Sequence, residues 1–353
     1  MIRSDLSLPI VVALLLALGF VTLSTAAPTD AFIRQLAFLG AGLLCSALVL
    51  WLGSRRLLRY TFHLYVLTVG LLLLTQVMGT TVNGAKSWLY LGPLPGFQPS
   101  ELAKITLILA LAAALHERPI RGPISYLVPT LLIAIPVGLV FLESDLGSAL
   151  VLAMAGVGIV VVRGIPWLHL VILAALFLVT VPTVVWPNLA PHQRERLVSF
   201  LNPSADPQGS GYQVIQSTIA VGSGGLVGKG YGQGTQSQLG FIPFQHTDFI
   251  FPVLAEEGGF VAASVLLLLY GLLFWRLVAV AAECPHERDQ LTIVGVLSLI
   301  GFQVLVNIGV TLGLAPVTGI TLPLVSYGGT SLISTLLALT LVFVIHRDRY
   351  VGW

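Results

Sequence analysis

Apolar residues in this chain come in long unbroken runs, without the alternation of a half-buried strand or the single stripe of a soluble helix. Ten runs approach the roughly 20 residues that an α-helix needs to cross the hydrocarbon core of a bilayer. They cover 7–26, 33–53, 60–79, 101–116, 125–142, 147–162, 166–186, 249–275, 290–314 and 325–346. Pro129, Pro136, Pro182 and Pro252 fall inside them, which spans tolerate where neighbouring helices satisfy the freed carbonyls. Most connections are short, but 80–100 and 187–248 are long and polar. The second is rich in Gly, Gln, Ser, Asn and Pro and holds no spanning run; its part 213–232 mixes apolar and small residues and is expected to re-enter the membrane face or pack on it. The pattern predicts an all-α integral membrane protein, a single polytopic domain over 1–353. It has ten transmembrane helices, with a large extracytoplasmic loop between the seventh and eighth.

Composition narrows this further. Residues of the AVILMFWYC set make up 56% of the 353 and charged residues 9%, against about 25% charged in an average soluble domain. That excludes a water-soluble globule and a disordered chain, which needs charge and few aliphatics. A net charge of +2 with scattered basic residues gives no nucleic-acid footprint. Cys45 and Cys284 make no disulfide framework, and the seven histidines show no metal-ligand spacing. The first run, ending Ser24-Thr25-Ala26-Ala27, imitates a signal peptide. Its length and Pro28 after the scissile bond favour a retained span.

Charge also orients the chain. With the N-terminus in the cytoplasm, 11 of the 17 basic residues fall on inner segments: Arg3, Arg55, Arg56, Arg59, Arg118, Arg121, Arg163, Arg276, Arg288, Arg347 and Arg349. The positive-inside rule therefore puts both termini in the cytoplasm and the two long polar segments outside. No matching pair of interrupted helices marks the two halves, which speaks against an inverted-repeat transporter.

Ionisable residues at span ends are costly and invite a reason. Glu101 and Lys104 share a face of the fourth span at i,i+3 and can pair. Glu143 and Asp145 lie in the outer turn ESDLGS, either as a solvated turn or as part of a site. Asp248, in HTDF, stands where the eighth span begins and reads equally as a helix N-cap. Glu256 and Glu257 lie two turns into that span, so at least one requires a partner or a polar cavity. The stretch SGGLVGKG at 223–230 imitates a phosphate loop but lacks its first Gly, its final Ser or Thr and a preceding strand.

Several stretches together resemble the SEDS family (shape, elongation, division and sporulation), the integral-membrane peptidoglycan polymerases. They are NGAKSWLYLG and FQPSELAK within 83–104, the DLGS turn at 145–148, Phe200 to Gly258 including GTQSQL and HTDFIF, and NIGVTLGLAPVTGITLPLVSYGGTSL at 307–332. GTQSQL is closer to the elongation branch than to the division branch. The resemblance implies ten membrane helices with a large outer loop, located in the bacterial cytoplasmic membrane with the active site facing outward. It implies a glycosyltransferase that polymerises lipid II and releases undecaprenyl pyrophosphate. The implied partners are a class B penicillin-binding protein that crosslinks the strands, the other membrane proteins of the elongation complex, and membrane lipid. The family's essential Asp falls on Asp248, and its paired acid and base on Glu101 and Lys104. Two departures are visible: Pro243 is followed by Phe244 and Gln245 where the family has Pro-Glu, and Pro252 replaces a small residue.

The implied reaction needs a carboxylate base for a sugar hydroxyl and positive charge for the leaving pyrophosphate. Asp248 is expected to be the base, with inversion at the anomeric carbon. The charge is expected from Arg194, Arg196, Lys229 or Lys104, or from a divalent cation (Mg²⁺ or Mn²⁺) held by Glu143 or Asp145. Arg196 matches an Arg that precedes the family's FLNP stretch. A lipid II flippase is the alternative from another class, but a transporter should place its acids near the midplane, whereas these crowd the outer side. A division-type polymerase is the alternative within the family.

Overall fold

The structure, a computed structural model, describes residues 6–82, 84–90, 96–116, 123–164, 171–172, 175, 178–180, 182–183, 186–202 and 209–349. Most of the expected seventh span, 166–186, lies outside the described residues, as do Arg3, Arg118 and Arg121. In chain order the helices are α1 (Ser7–Ala26), α2 (Thr29–Arg59), α3 (Thr61–Met78), α4 (Pro99–Leu115), α5 (Leu127–Leu142) and α6 (Leu146–Val162). After these come α7 (Pro191–Leu201), α8 (Ser210–Ser223), α9 (Ile250–Glu283), α10 (Glu287–Thr311) and α11 (Gly329–Asp348). One antiparallel hairpin, β1 (Thr80–Val82) and β2 (Ala85–Trp88), follows α3, with Thr81 opposite Lys86.

Among the described residues, α1, α2, α3, α9, α10 and α11 are long and apolar enough to cross a membrane, and α5 and α6 are shorter apolar helices. The chain is thus a multi-pass membrane protein. Large apolar side chains such as Leu44, Trp51, Val77 and Leu268 point outward; lipid accepts such a surface and water does not. The expected fourth span is α4, 17 residues long and buried along most of its length.

The chain forms two compact units. One comprises Met1–Leu57, Ser199–Pro285 and Ile300–Trp353; the other comprises Leu58–Val198 and His286–Leu299. In the second unit α4 packs against α3, α5 and α6, and its alanines at 103, 110 and 112, all buried, let backbones approach closely. The hairpin closes one end of these helices: the Lys86 N–H donates to Glu143 O at 2.9 Å, and Lys86 Nζ donates to Gln76 O at 2.6 Å.

In the first unit α1 and α8 pack on α9. The outer segment expected to lie on the membrane face begins as the helix α8. Its continuation, 224–230, mends a break in α9. At Gly259 (φ 66°) the helix is interrupted, which strands main-chain groups that a membrane interior cannot hydrate. The carbonyls of Glu256 and Glu257 accept from the N–H groups of Lys229 and Gly230, each at 3.0 Å. Beyond the break, the N–H groups of Phe260 and Val261 donate to Gly225 O and Leu226 O at 2.9 and 3.1 Å. Gly228 has φ 79°, and a Cβ there would strike Glu257 O. The glycines that imitate a phosphate loop therefore serve close contact with a helix.

Candidate functional site

Each sequence-expected residue is placed within its own unit. In the second unit, Pro99 opens α4, where its missing N–H costs no hydrogen bond. Glu101 follows in the first turn, favoured there by the helix dipole. Lys104 Nζ lies 2.7 Å from Glu101 Oε1, with both residues buried. The expected i,i+3 pair is formed, and removing either partner would leave a buried charge.

Gln98, just before this helix, links it to the outer turn by donating from Nε2 to Asp145 Oδ2 at 3.0 Å. Asp145 also caps α6, accepting from the Ser148 N–H at 2.9 Å. Ser144 stands between the two acids with φ 62°, and its carbonyl accepts from Gln193 Nε2 at 2.9 Å. Glu143 is 1% exposed, and neither carboxyl oxygen has a hydrogen-bond partner. Burial first, and the neighbouring charge of Asp145 second, push its carboxyl up to about 8. The turn is therefore not a solvated one. Arg196 sits half-buried in α7, and Arg194 donates to Pro187 O at 2.7 Å.

In the first unit, Glu256 is fully buried and its carboxylate gathers five donors. Lys229 Nζ at 2.7 Å, the Gln236 N–H at 2.8 Å and Thr235 Oγ1 at 3.2 Å bind Oε1. The N–H and Oγ of Ser237, both at 3.1 Å, bind Oε2. The partner that an acid inside a span requires is thus Lys229 together with the turn Thr235–Gln238. Glu257 accepts from Thr25 Oγ1 at 2.9 Å, fastening the end of α1 to α9. Gln245 donates from Nε2 to Ala26 O at 2.9 Å.

Asp248 is half-buried immediately before α9. The N-cap of that helix is Phe249, which carries no side-chain cap bond. The carbonyls of His246, Thr247 and Asp248 are each held from elsewhere in the unit, by the Tyr327 N–H at 2.8 Å, Ser326 Oγ at 2.6 Å and Asn307 Nδ2 at 2.8 Å. His246 also packs on the Tyr327 ring, 5.6 Å between centroids, and burial lowers its pKa. Sequence reasoning assigned no role to Asn307, Ser326, Gln98 or Thr25. The available signal was an Asn inside an apolar run, which needs partners as an acid does.

Among the described residues no group of three or more His, Cys, Asp or Glu gathers as a metal set. Glu143 and Asp145 offer two carboxylates, enough for Mg²⁺ when substrate phosphates and water complete its shell.

The profile of the FtsW/RodA/SpoVE family, described as cell cycle protein, matches residues 5–351. The chain is 37% identical over 317 residues to the peptidoglycan glycosyltransferase MrdB of Escherichia coli K12, covering 90% of this chain and 85% of that protein. It is 36% identical over 363 residues to stage V sporulation protein E of Bacillus subtilis 168, covering 98% of each. Among solved structures it superposes with a TM-score of 0.88, 50% identity and full coverage of both chains on a component of a peptidoglycan synthase complex, described as coordinating polymerization and crosslinking. It also superposes on the rod shape determining protein RodA of Thermus thermophilus, with a TM-score of 0.78, 43% identity and 99% coverage of each.

Proposed function

From the premise that this chain belongs to the FtsW/RodA/SpoVE family of cell cycle proteins, we propose that it is an elongation-type peptidoglycan glycosyltransferase acting on lipid II with Asp248 as its base. Membership over 5–351 carries the activity. The held backbone of a half-buried Asp248 supports the role of that residue. In this reading the 4-hydroxyl of the acceptor sugar attacks the anomeric carbon of the donor. Asp248 takes the hydroxyl proton, the anomeric carbon–oxygen bond breaks with inversion, and undecaprenyl pyrophosphate departs as an anion. A leaving group of that kind needs no second acid, unlike the paired carboxylates of glycoside hydrolases.

Of the four cations considered for the pyrophosphate, Lys104 and Lys229 are each neutralised by a buried Glu. We therefore assign the leaving group to Arg194 and Arg196. Glu143, on losing its proton, and Asp145 would hold a divalent cation that supplies further positive charge to the pyrophosphate. The reading includes ten spans, cytoplasmic termini, an outward-facing site in the cytoplasmic membrane and a class B penicillin-binding protein as partner, for which the synthase-complex neighbour is the support.

The test is polymerisation of lipid II by detergent-solubilised protein with its penicillin-binding partner. Asp248→Ala should lose at least about 100-fold in rate, the scale of a general base; a native rate would overturn the assignment. In the same assay EDTA should abolish glycan chains and Mg²⁺ should restore them, while indifference to EDTA would remove the cation. Detergent has no compartments, so glycan chains made there also separate an enzyme from a flippase.

A further inference from the structure

Two peptide planes flank Asp248, and both are pinned by side chains. The plane before it carries Thr247 O, held by Ser326 Oγ at 2.6 Å. The plane after it carries Asp248 O, held by Asn307 Nδ2 at 2.8 Å. Fixing both planes fixes φ and ψ of Asp248, and hence the direction in which its Cα–Cβ bond presents the carboxylate. The Asp248 carbonyl could not find a helical donor at its own helix start. The residue four positions on is Pro252, which has no N–H.

The donors are themselves held. Asn307 is 1% exposed and uses its other amide hydrogen on Ile320 O at 2.8 Å. Ser326 Oγ accepts from the Leu322 N–H at 2.9 Å, and Ser326 O accepts from Gln35 Nε2 at 3.1 Å. We propose that Asn307, seconded by Ser326, is a positioning residue for the polymerase reaction, setting the attack geometry of Asp248 through that residue's main chain. The proposal rests on the reading of Asp248 as the base. Because a base acts only when aligned with its proton, misplacement by about 1 Å can lower the rate as much as 100-fold without weakening substrate binding.

The experiment compares Asn307→Leu, Ser326→Ala and Ser326→Thr in the full chain with its penicillin-binding partner. It reads kcat and KM for lipid II and the thermal midpoint. Asn307→Leu should lower kcat roughly 10- to 100-fold with KM within about twofold. Ser326→Ala should lower kcat by a smaller factor, and Ser326→Thr, which keeps the hydroxyl, should restore most of it. An unchanged kcat in Asn307→Leu, a rise in KM alone, or a fall in kcat matched by loss of folded protein would overturn the proposal. Should Asn307→Leu fail to fold, the serine pair decides, and equal kcat in its Ala and Thr forms defeats the proposal. Asp248→Ala run beside them separates the two readings. If it turns over at the native rate, the base assignment has failed and positioning goes with it. If it is inactive while the Asn307 and Ser326 variants work normally, positioning alone has failed.

Discussion

Glu143 keeps a carboxyl group buried with neither oxygen hydrogen-bonded, and its pKa near 8 shows which form the fold tolerates. Between its ordinary 4.5 and about 8 the unfolded chain has lost this proton while the folded chain retains it. Stability from this group is therefore complete below the lower value and falls through that window, by up to about 1.4 kcal/mol per pH unit. Glu143→Gln, neutral at every pH, should melt higher than the native protein at pH 8 and by a smaller margin at pH 5. Melting curves that stay parallel across that range would show that the acid ionises freely in place. Residues of this kind were only partly legible. The cost of Glu256 inside a span was readable from its type and depth, but its partner Lys229 lies 27 residues away and obeys no spacing rule. For Asp248 the spacing allowed a helix cap, and only the resemblance raised it to a catalytic candidate; the N-cap position itself falls on Phe249. Asn307 stayed unread because a single amide in an apolar run does not disclose which carbonyls it will meet.

Among the elements, α9 joins a membrane helix to the preceding loop at a break. The run 249–275 announced the helix, since length and apolarity suffice for that. It did not announce the break, because Gly258-Gly259 looks like any small-residue pair. Nor did it announce the mending by 224–230, a pairing of backbone with backbone. Gly228→Ala tests this arrangement. The added methyl meets Glu257 O and the backbone would keep a positive φ, so a loss of about 1–3 kcal/mol is expected, read as a lower thermal midpoint. Gly222→Ala, on an exposed site with open space around its Cβ, is the control and should change little. If the two variants melt alike, the loop is not docked on the helix.

For the whole molecule, the multi-pass membrane character was the most legible property of all. The spacing of eleven arginines predicted an orientation before any helix was placed. Among the described residues six long apolar helices then appeared where runs were expected, with α5 and α6 shorter. What composition could not convey was the division of the chain into two compact units, since each draws on segments far apart in sequence. The orientation has a direct check in a variant lacking Cys45 and Cys284. Gln233→Cys, on an exposed loop, should react with a membrane-impermeant maleimide in intact cells, whereas Arg56→Cys should react only after permeabilisation. The opposite pattern would invert the topology and put Asp248 on the wrong side for its proposed substrate.

The break in α9 also bears on how the protein is made. The strand of chain that completes the hydrogen bonding at Gly259 precedes that helix in the order of synthesis. A ribosome therefore delivers residues 224–230 about 27 to 35 residues before the positions they bond in α9, and α9 enters the bilayer after its missing partner has been made. Reversing that order, by a circular permutation that opens the chain between 240 and 250, would oblige a discontinuous helix to insert unaided.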